Sequence, residues 1–415
     1  MRAFRRYRVS IAVTAALLLL LGGAAVVAAQ TRPAAPIKPP IAQPKAKQPA
    51  TPAPPAQAGT AFDTEARHAL IIEAETGAVL FDKSAQERMP PASMSKIMTA
   101  YVVFGMLKSG KLKLTDEFPV SERAWKLGGS KMFVGIGGRV SVENLIQGML
   151  VQSGNDACVV LSEGLAGSEG AFVDLMNEKA KEIGLKDSHF ANVTGLPDPN
   201  EWMTAHDLVT LAQRIIKDYP EYYHYFSEKD FNFNNIDQGN RNPLLYKDMG
   251  ADGLKTGHTD ESGYSLTGSI VRGDRRVILV ISGLASMKDR ASESERLAEW
   301  AFREFNDYKL FSAGDKVDDA DVWLGSEPKV GMIVANDLVV TLPRHSRRDM
   351  KVTVSYDKPV PAPIKQGDQM GKVTITAPDA APVERPLYAA ADVAPISTIG
   401  RMATVAGYLI WGSRH

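Results

Sequence analysis

A single cysteine, Cys158, stands in a chain of 415 residues, so no disulfide can close within it and its stability has to come from packing. Metal-binding patterns are missing as well. There is no CxxC, no HExxH and no dense grouping of the seven histidines with carboxylates, so neither a metal nor a cofactor is expected. Charge of one sign is not in excess, with 48 Lys and Arg against 48 Asp and Glu. The chain therefore lacks a global basic field to recruit nucleic acid, which is not an expected partner, and lacks an acidic excess to repel a membrane. A G-x-S-x-G elbow is absent, and the few histidines supply no obvious partner for a Ser-His-Asp hydrolase. No repeat of fixed period is found.

What is present begins at the N-terminus. "MRAFRRYRVS" is a positive segment, an apolar run follows, and small residues end it around Ala28 and Ala29. This is the pattern of an export signal over residues 1–29. Cleavage after Ala29 fits it, and so does an uncleaved anchor, because the run approaches the length of a short membrane span. Residues 30–59 are rich in Pro, Ala, Lys and Gln and lack the large apolar side chains of a core, which predicts an extended spacer.

Folded sequence is predicted from about residue 60 to 310. "HALIIEAETGAVLFDKSA" has the form of a hairpin turning at Glu75, Thr76 and Gly77. Helical stretches follow from about Ser93, through "SVENLIQGMLVQSGNDACVVLSEGLAG", "GAFVDLMNEKAKEIGL" and "TAHDLVTLAQRIIKDYP". Two β-rich runs then meet at a Gly273-Asp274 turn, and "RASESERLAEWAFREFNDY" predicts a last helix. Strands, helices, strands and a helix make an α+β domain. Residues 311–390 carry short valine-rich pieces between turn residues and predict a small all-β domain. In the tail, residues 391–415, the helical spacing of Ile396, Ile399, Met402, Ala403, Ala406 and Leu409 fits either an interfacial membrane helix or a helix docked on the β-domain.

Three short motifs carry chemistry. In "PPASMSKIMTA", Ser93 and Lys96 are three residues apart, a spacing that stacks both side chains on one helical face. Alone, such a pair is a helix cap and a solvated lysine. Here the flanks are apolar on more than one face, as in a buried helix. A lysine acting as a base near neutrality must be free of its proton, which costs about 4 kcal/mol against an ordinary amine, and burial beside another cation supplies that. Ser153 and Asn155 interrupt an apolar run in "MLVQSGNDACVV". Lys255, Thr256, Gly257 and His258 lie where a strand enters a turn; Leu254 before the lysine and strand-like sequence after it exclude a P-loop. An edge strand with a glycine suits an extended substrate ending in a carboxylate.

With SxxK, SxN and KTG in this order, the chain resembles the serine-type D-Ala-D-Ala carboxypeptidases, low-molecular-mass penicillin-binding proteins of the penicillin-binding protein 5/6 type. "GGSKMFV", "TGLPDPNEWMTAHDL" and "ADGLKTGHT" are further stretches typical of that family. The resemblance implies a β-lactamase/transpeptidase-like domain, an antiparallel sheet with a helical cluster, followed by a small β-domain and an amphipathic C-terminal helix. It implies Ser93 as acyl-forming nucleophile, Lys96 as its base and Ser153 as proton relay to the leaving D-alanine. Asn155 would hold the substrate backbone, Lys255 and Thr256 its terminal carboxylate, and the backbone N–H groups of Ser93 and His258 would form the oxyanion hole. Gly257 belongs to the same substrate-binding strand, and Arg290 falls where the family often carries an arginine near the site; on a helix, a surface cation is the alternative. The implied partners are peptidoglycan pentapeptides, β-lactams and, through the tail, the periplasmic face of the inner membrane.

Three rivals stay open on the sequence. A DD-endopeptidase would share every motif. A β-lactamase needs a glutamate for deacylation, and Glu228 to Asn232 is an E-x-x-x-N match, poorly placed near Lys255. A non-catalytic wall-binding protein would rely on the β-domain and tail.

Overall fold

The computed structural model describes residues 62–397, with Gly400 and Met402. The export signal, the spacer and most of the tail lie outside the described residues.

The first region opens with β1 (His68–Glu73) and β2 (Val79–Lys83), joined through the expected turn. A short 3-10 turn, Ala92–Ser95, runs directly into α1 (Lys96–Lys108). After it come β3 (Glu117–Pro119), α2 (Glu122–Lys126), β4 (Arg139–Ser141), α3 (Val142–Leu150), α4 (Asn155–Ala166), α5 (Glu169–Glu182) and α6 (Ala205–Asp218). A small hairpin of β5 (Asp230–Phe233) and β6 (Ile236–Gly239) precedes β7 (Ala251–Thr259), β8 (Gly263–Arg272), β9 (Arg275–Leu284) and α7 (Met287–Glu304). Side-chain oxygens of Ser141, Ser168, Thr204 and Ser286 each accept from a backbone N–H three residues on, which starts α3, α5, α6 and α7.

The main sheet is antiparallel, in the order β2-β1-β9-β8-β7, and leaves β7 at an edge. Its two faces explain the apolar runs in its strands. Leu70, Ile72, Ile278 and Val280 face the helical cluster, while Ala69, Ile71, Leu279 and Ile281 pack with Leu297, Ala298 and Ala301 of α7. A strand covered on both faces loses the alternation that marks a half-exposed one. The long predicted stretch around Ser153 is two helices, because residues 151–154 break it.

One expectation fails at the end of this region. The helix predicted through Tyr308 stops at Glu304, and Phe305–Phe311 is strand β10. Phe305 is buried, with its ring edge-on to Trp300, and the backbone of β10 pairs with a later strand, β13. Ladder bonds and a buried aromatic outweigh local helical periodicity there.

The second region contains β10, β11 (Lys316–Trp323), β12 (Lys329–Ile333), β13 (Leu338–Pro343), β14 (Lys351–Tyr356), β15 (Val360–Pro361), β16 (Gln369–Thr376) and β17 (Val383–Ala389). Beside the β10-β13 pair, a sheet of order β14-β16-β17-β12-β11-β15 encloses a core that includes Met332, Val340, Leu342, Val373, Ile375 and Leu387. Polar contacts join the two regions: Arg275 bridges the buried Glu73 and Asp307, and Thr341 bonds to both Thr76 and Asp307.

Candidate active site

Helix α1 is buried on nearly every side, so its first residue enters the interior with it. Lys96 is 0% exposed, and Ser93 does not cap the helix; no side-chain cap bond is made at either the 3-10 turn or α1. Instead Lys96 Nζ lies 3.0 Å from Ser93 Oγ, 2.8 Å from Asn155 Oδ1 and 2.6 Å from the Thr194 carbonyl oxygen. Asn155 Nδ2 donates to the Gly128 carbonyl, which turns Oδ1 toward the amine. Asn155 Oδ1 and the Thr194 carbonyl oxygen can only accept. They use both N–H bonds of a neutral amine and leave its lone pair for the Ser93 hydroxyl proton. Burial lowers the Lys96 pKa, with Arg241 acting the same way against Cys158, Glu201 and Asp156.

Each hydroxyl segment contains a backbone in the left-handed region. Ala92, directly before Ser93, has φ +48°, and Ser153 has φ +66°. Such conformations cost non-glycine residues roughly 1–3 kcal/mol and cluster where surrounding structure enforces a functional geometry. Ser153 is 2% exposed, and its Oγ is buried without a hydrogen-bond partner. An interhelix turn with its polar groups satisfied would not leave this hydroxyl orphaned.

Opposite lies β7. Lys255 and Thr256 are buried. A Cβ at Gly257 would stand 3.0 Å from the Pro91 carbonyl oxygen, so the glycine lets the strand edge press on the nucleophile turn. His258 is exposed, with its ring stacked on Tyr264 at 3.9 Å. Arg290 is no surface cation: it is 4% exposed, its guanidinium faces the Tyr264 ring, and its Nη2 donates to the Arg241 carbonyl. Burial pushes Arg290 down to about 10 and also lowers Arg241. Burial, with both arginines nearby, holds Lys255 well below an ordinary lysine.

Several residues that build the site were not singled out by sequence reasoning. Asp156 accepts from the backbone N–H groups of Met132, Phe133 and Val134, which anchors the loop carrying "GGSKMFV" beside Asn155. Arg241 reaches the same loop through Ser130 Oγ, at 2.7 Å. Asn192 Oδ1 gathers the N–H groups of Thr194, Gly195 and Leu196, and so fixes the carbonyl that meets Lys96. Gly195, at φ +77°, leaves no room for a side chain, since a Cβ would fall 1.8 Å from the Ala92 carbonyl oxygen. The signal for the first and third groups was the pair of quoted stretches, whose roles no local pattern states. Glu228 is held by Gln147 on α3, and Asn232 by Asp237 across the β5-β6 hairpin.

The profile of the family described as D-alanyl-D-alanine carboxypeptidase matches residues 51–286, and that of penicillin-binding protein 5, C-terminal domain, matches residues 305–395. D-alanyl-D-alanine carboxypeptidase DacA of Escherichia coli strain K12 is 35% identical over 346 residues, covering 81% of this chain and 86% of its own length. DacF of Bacillus subtilis, of the same description, is 32% identical over 79% of this chain and 86% of its own. Among solved structures, penicillin binding protein 5 from Haemophilus influenzae superimposes with a TM-score of 0.74 at 36% identity, over 81% of this chain and 99% of that one. Penicillin-Binding Protein D2 from Listeria monocytogenes, solved in an ampicillin-bound form, gives a TM-score of 0.54 at 30% identity, over 58% of this chain and 98% of that one.

Proposed function

From the premise that this chain belongs to the D-alanyl-D-alanine carboxypeptidase family, we infer that it is a serine-type carboxypeptidase that removes the terminal D-alanine from peptidoglycan pentapeptide stems. The observation that carries the mechanism is the hydrogen-bond count at Lys96, where two fixed acceptors leave the amine lone pair facing Ser93.

Ser93 Oγ attacks the carbonyl of the D-Ala-D-Ala bond while its proton passes to Lys96 Nζ. Charge on the carbonyl oxygen is met by the backbone N–H groups of Ser93 and His258. The amide nitrogen of the departing D-alanine takes a proton through Ser153, whose hydroxyl has no competing partner. Lys255, Thr256 and Arg290 bind the terminal carboxylate, and Asn155 holds the peptide backbone. A terminal carboxylate beside Lys255 favours its charged form, against the burial that disfavours it. Water then hydrolyses the ester, with the same groups working in reverse. A β-lactam enters the same path and stops at the acyl-enzyme. The partners found for Glu228 and Asn232 give the β-lactamase reading no support.

The export signal supports action outside the cytoplasmic membrane, with residues 30–59 as spacer. Apolar spacing from Ile396 to Leu409 supports peripheral attachment through the tail, and no described helix is long and apolar enough to cross a membrane. Truncation after Pro395 should move the protein from the membrane to the soluble fraction; retention would dismiss the tail as anchor.

The function is tested with the purified full chain and a muropeptide ending in D-Ala-D-Ala. Release of free D-alanine, abolished in Ser93→Ala, is expected. No release, or undiminished release by the variant, would sink the proposal.

A further inference from the structure

Glu201 is buried against the nucleophile turn, 6% exposed, and the mechanism above leaves it without a task. Its Oε1 accepts from Ser95 Oγ at 2.5 Å, and its Oε2 accepts from Asn192 Nδ2 at 2.5 Å. Ser95 lies in the turn between Ser93 and Lys96. Asn192 is the residue that fixes the Thr194 carbonyl on the other side of the amine. One carboxylate therefore ties together the two segments that position Lys96 Nζ. It also lines a pocket with Pro91, Ala92, Gly195, Leu196 and Thr259.

We propose that Glu201 is a positioning residue for Lys96, setting the gap between the nucleophile turn and the 192–196 loop and, through its charge, the pH above which Lys96 works as a base. The inference rests on Ser93 and Lys96 acting as nucleophile and base. Ionised Glu201 favours the protonated form of Lys96, against the burial that lowers it. Burial in turn pushes Glu201 up to about 7, opposed by its bonds to Ser95 and the 191–192 backbone and by Lys96. Its charge thus changes near neutrality. The other charged groups lining its pocket are Arg88, Asp198 and Glu261; the titratable groups acting on Lys96 include Asp156, Arg241, Lys255 and the Cys158 thiol, which burial pushes up to about 12.

The test is the pH dependence of acylation of the full chain by a fluorescent penicillin. In the wild type the rate should rise with pH as Lys96 loses its proton. Glu201→Gln removes the charge and keeps the shape, so the rising limb should move to lower pH by about one unit, the low end of what a nearby opposite charge does. A limb that superimposes on the wild type, or a loss equal at every pH, overturns the proposal, since a merely structural glutamate would act in those ways. Ser95→Ala, which leaves the carboxylate in place, should lower the plateau rate roughly three- to tenfold, the worth of one such hydrogen bond; an unchanged plateau overturns the positioning role even if the glutamine variant does not fold. If the wild type is not labelled at any pH, the reading of Ser93 and Lys96 fails first and the inference falls with it.

Discussion

Both regions contain antiparallel strand pairs, yet their interiors differ in kind. Between residues 62 and 304 the buried side chains include Lys96, Lys255, Arg290, Asp156, Asp207 and Glu201. From 305 onward the buried polar side chains among the described residues are Thr341 and Ser346. The second region keeps its ion pairs outside, as in Lys309–Asp337, Lys316–Asp319 and Lys372–Glu384, where each is worth about 0–1 kcal/mol. Burying a charge costs several kcal/mol unless neighbours compensate, and in the first region burial lowers the pKa of Lys96 and Lys255 and raises that of Glu201. The second region has no such burden, and its core is apolar.

Substitutions break this contrast in a graded way. Ser93→Ala should lower acylation by a penicillin at least about 10^4-fold with the fold intact, measured by covalent labelling and thermal melting. Lys96→Gln should cost about 10^2- to 10^4-fold in the same assay, while the melting temperature holds or rises because a desolvated amine has gone. The sign of the pH effect follows from linkage. With its pKa lowered in the folded state, Lys96 binds fewer protons there than in the unfolded chain, so its contribution to stability increases as pH climbs from the lowered value toward about 10.4. Wild-type melting temperature should therefore gain on Lys96→Gln over that window, and parallel curves would contradict a neutral Lys96. In the other region, Ile375→Ala should destabilise by about 2–5 kcal/mol and leave labelling unchanged at a temperature where the chain is folded. Smallest of all, Thr76→Val at the joint removes the hydrogen bond to Thr341 and a long one from the Ala78 N–H, and should cost about 1–2 kcal/mol without altering acylation.

Much of this was legible in the chain itself. The hairpin turn at 75–77, the turn at Gly273-Asp274, the edge position of the KTG strand and the apolar surroundings of α1 all follow from local pattern, and each is seen. The strand at Phe305–Phe311 did not follow, because its partner β13 comes more than two dozen residues later and the local period is helical. Arg290 looked like a helix-surface cation, and only the packing of α7 beside Tyr264 and Arg241 buries it. Asn192, Asp156 and Glu201 were invisible for another reason: each acts on backbone or side chains whose importance is itself a tertiary fact.

What the sequence by itself determined is which chemical groups are available and in which order: a serine and a lysine one turn apart, a hydroxyl and an amide in a helix break, a lysine on a strand before a glycine. That information is local, carried by helical and strand periodicity and by turn residues. Protonation and alignment were decided only by the tertiary structure. Lys96 meets Asn155 and the Thr194 carbonyl across 59 and 98 residues of chain, and it is these two acceptors, inside a shell that excludes water, that leave the amine lone pair facing Ser93.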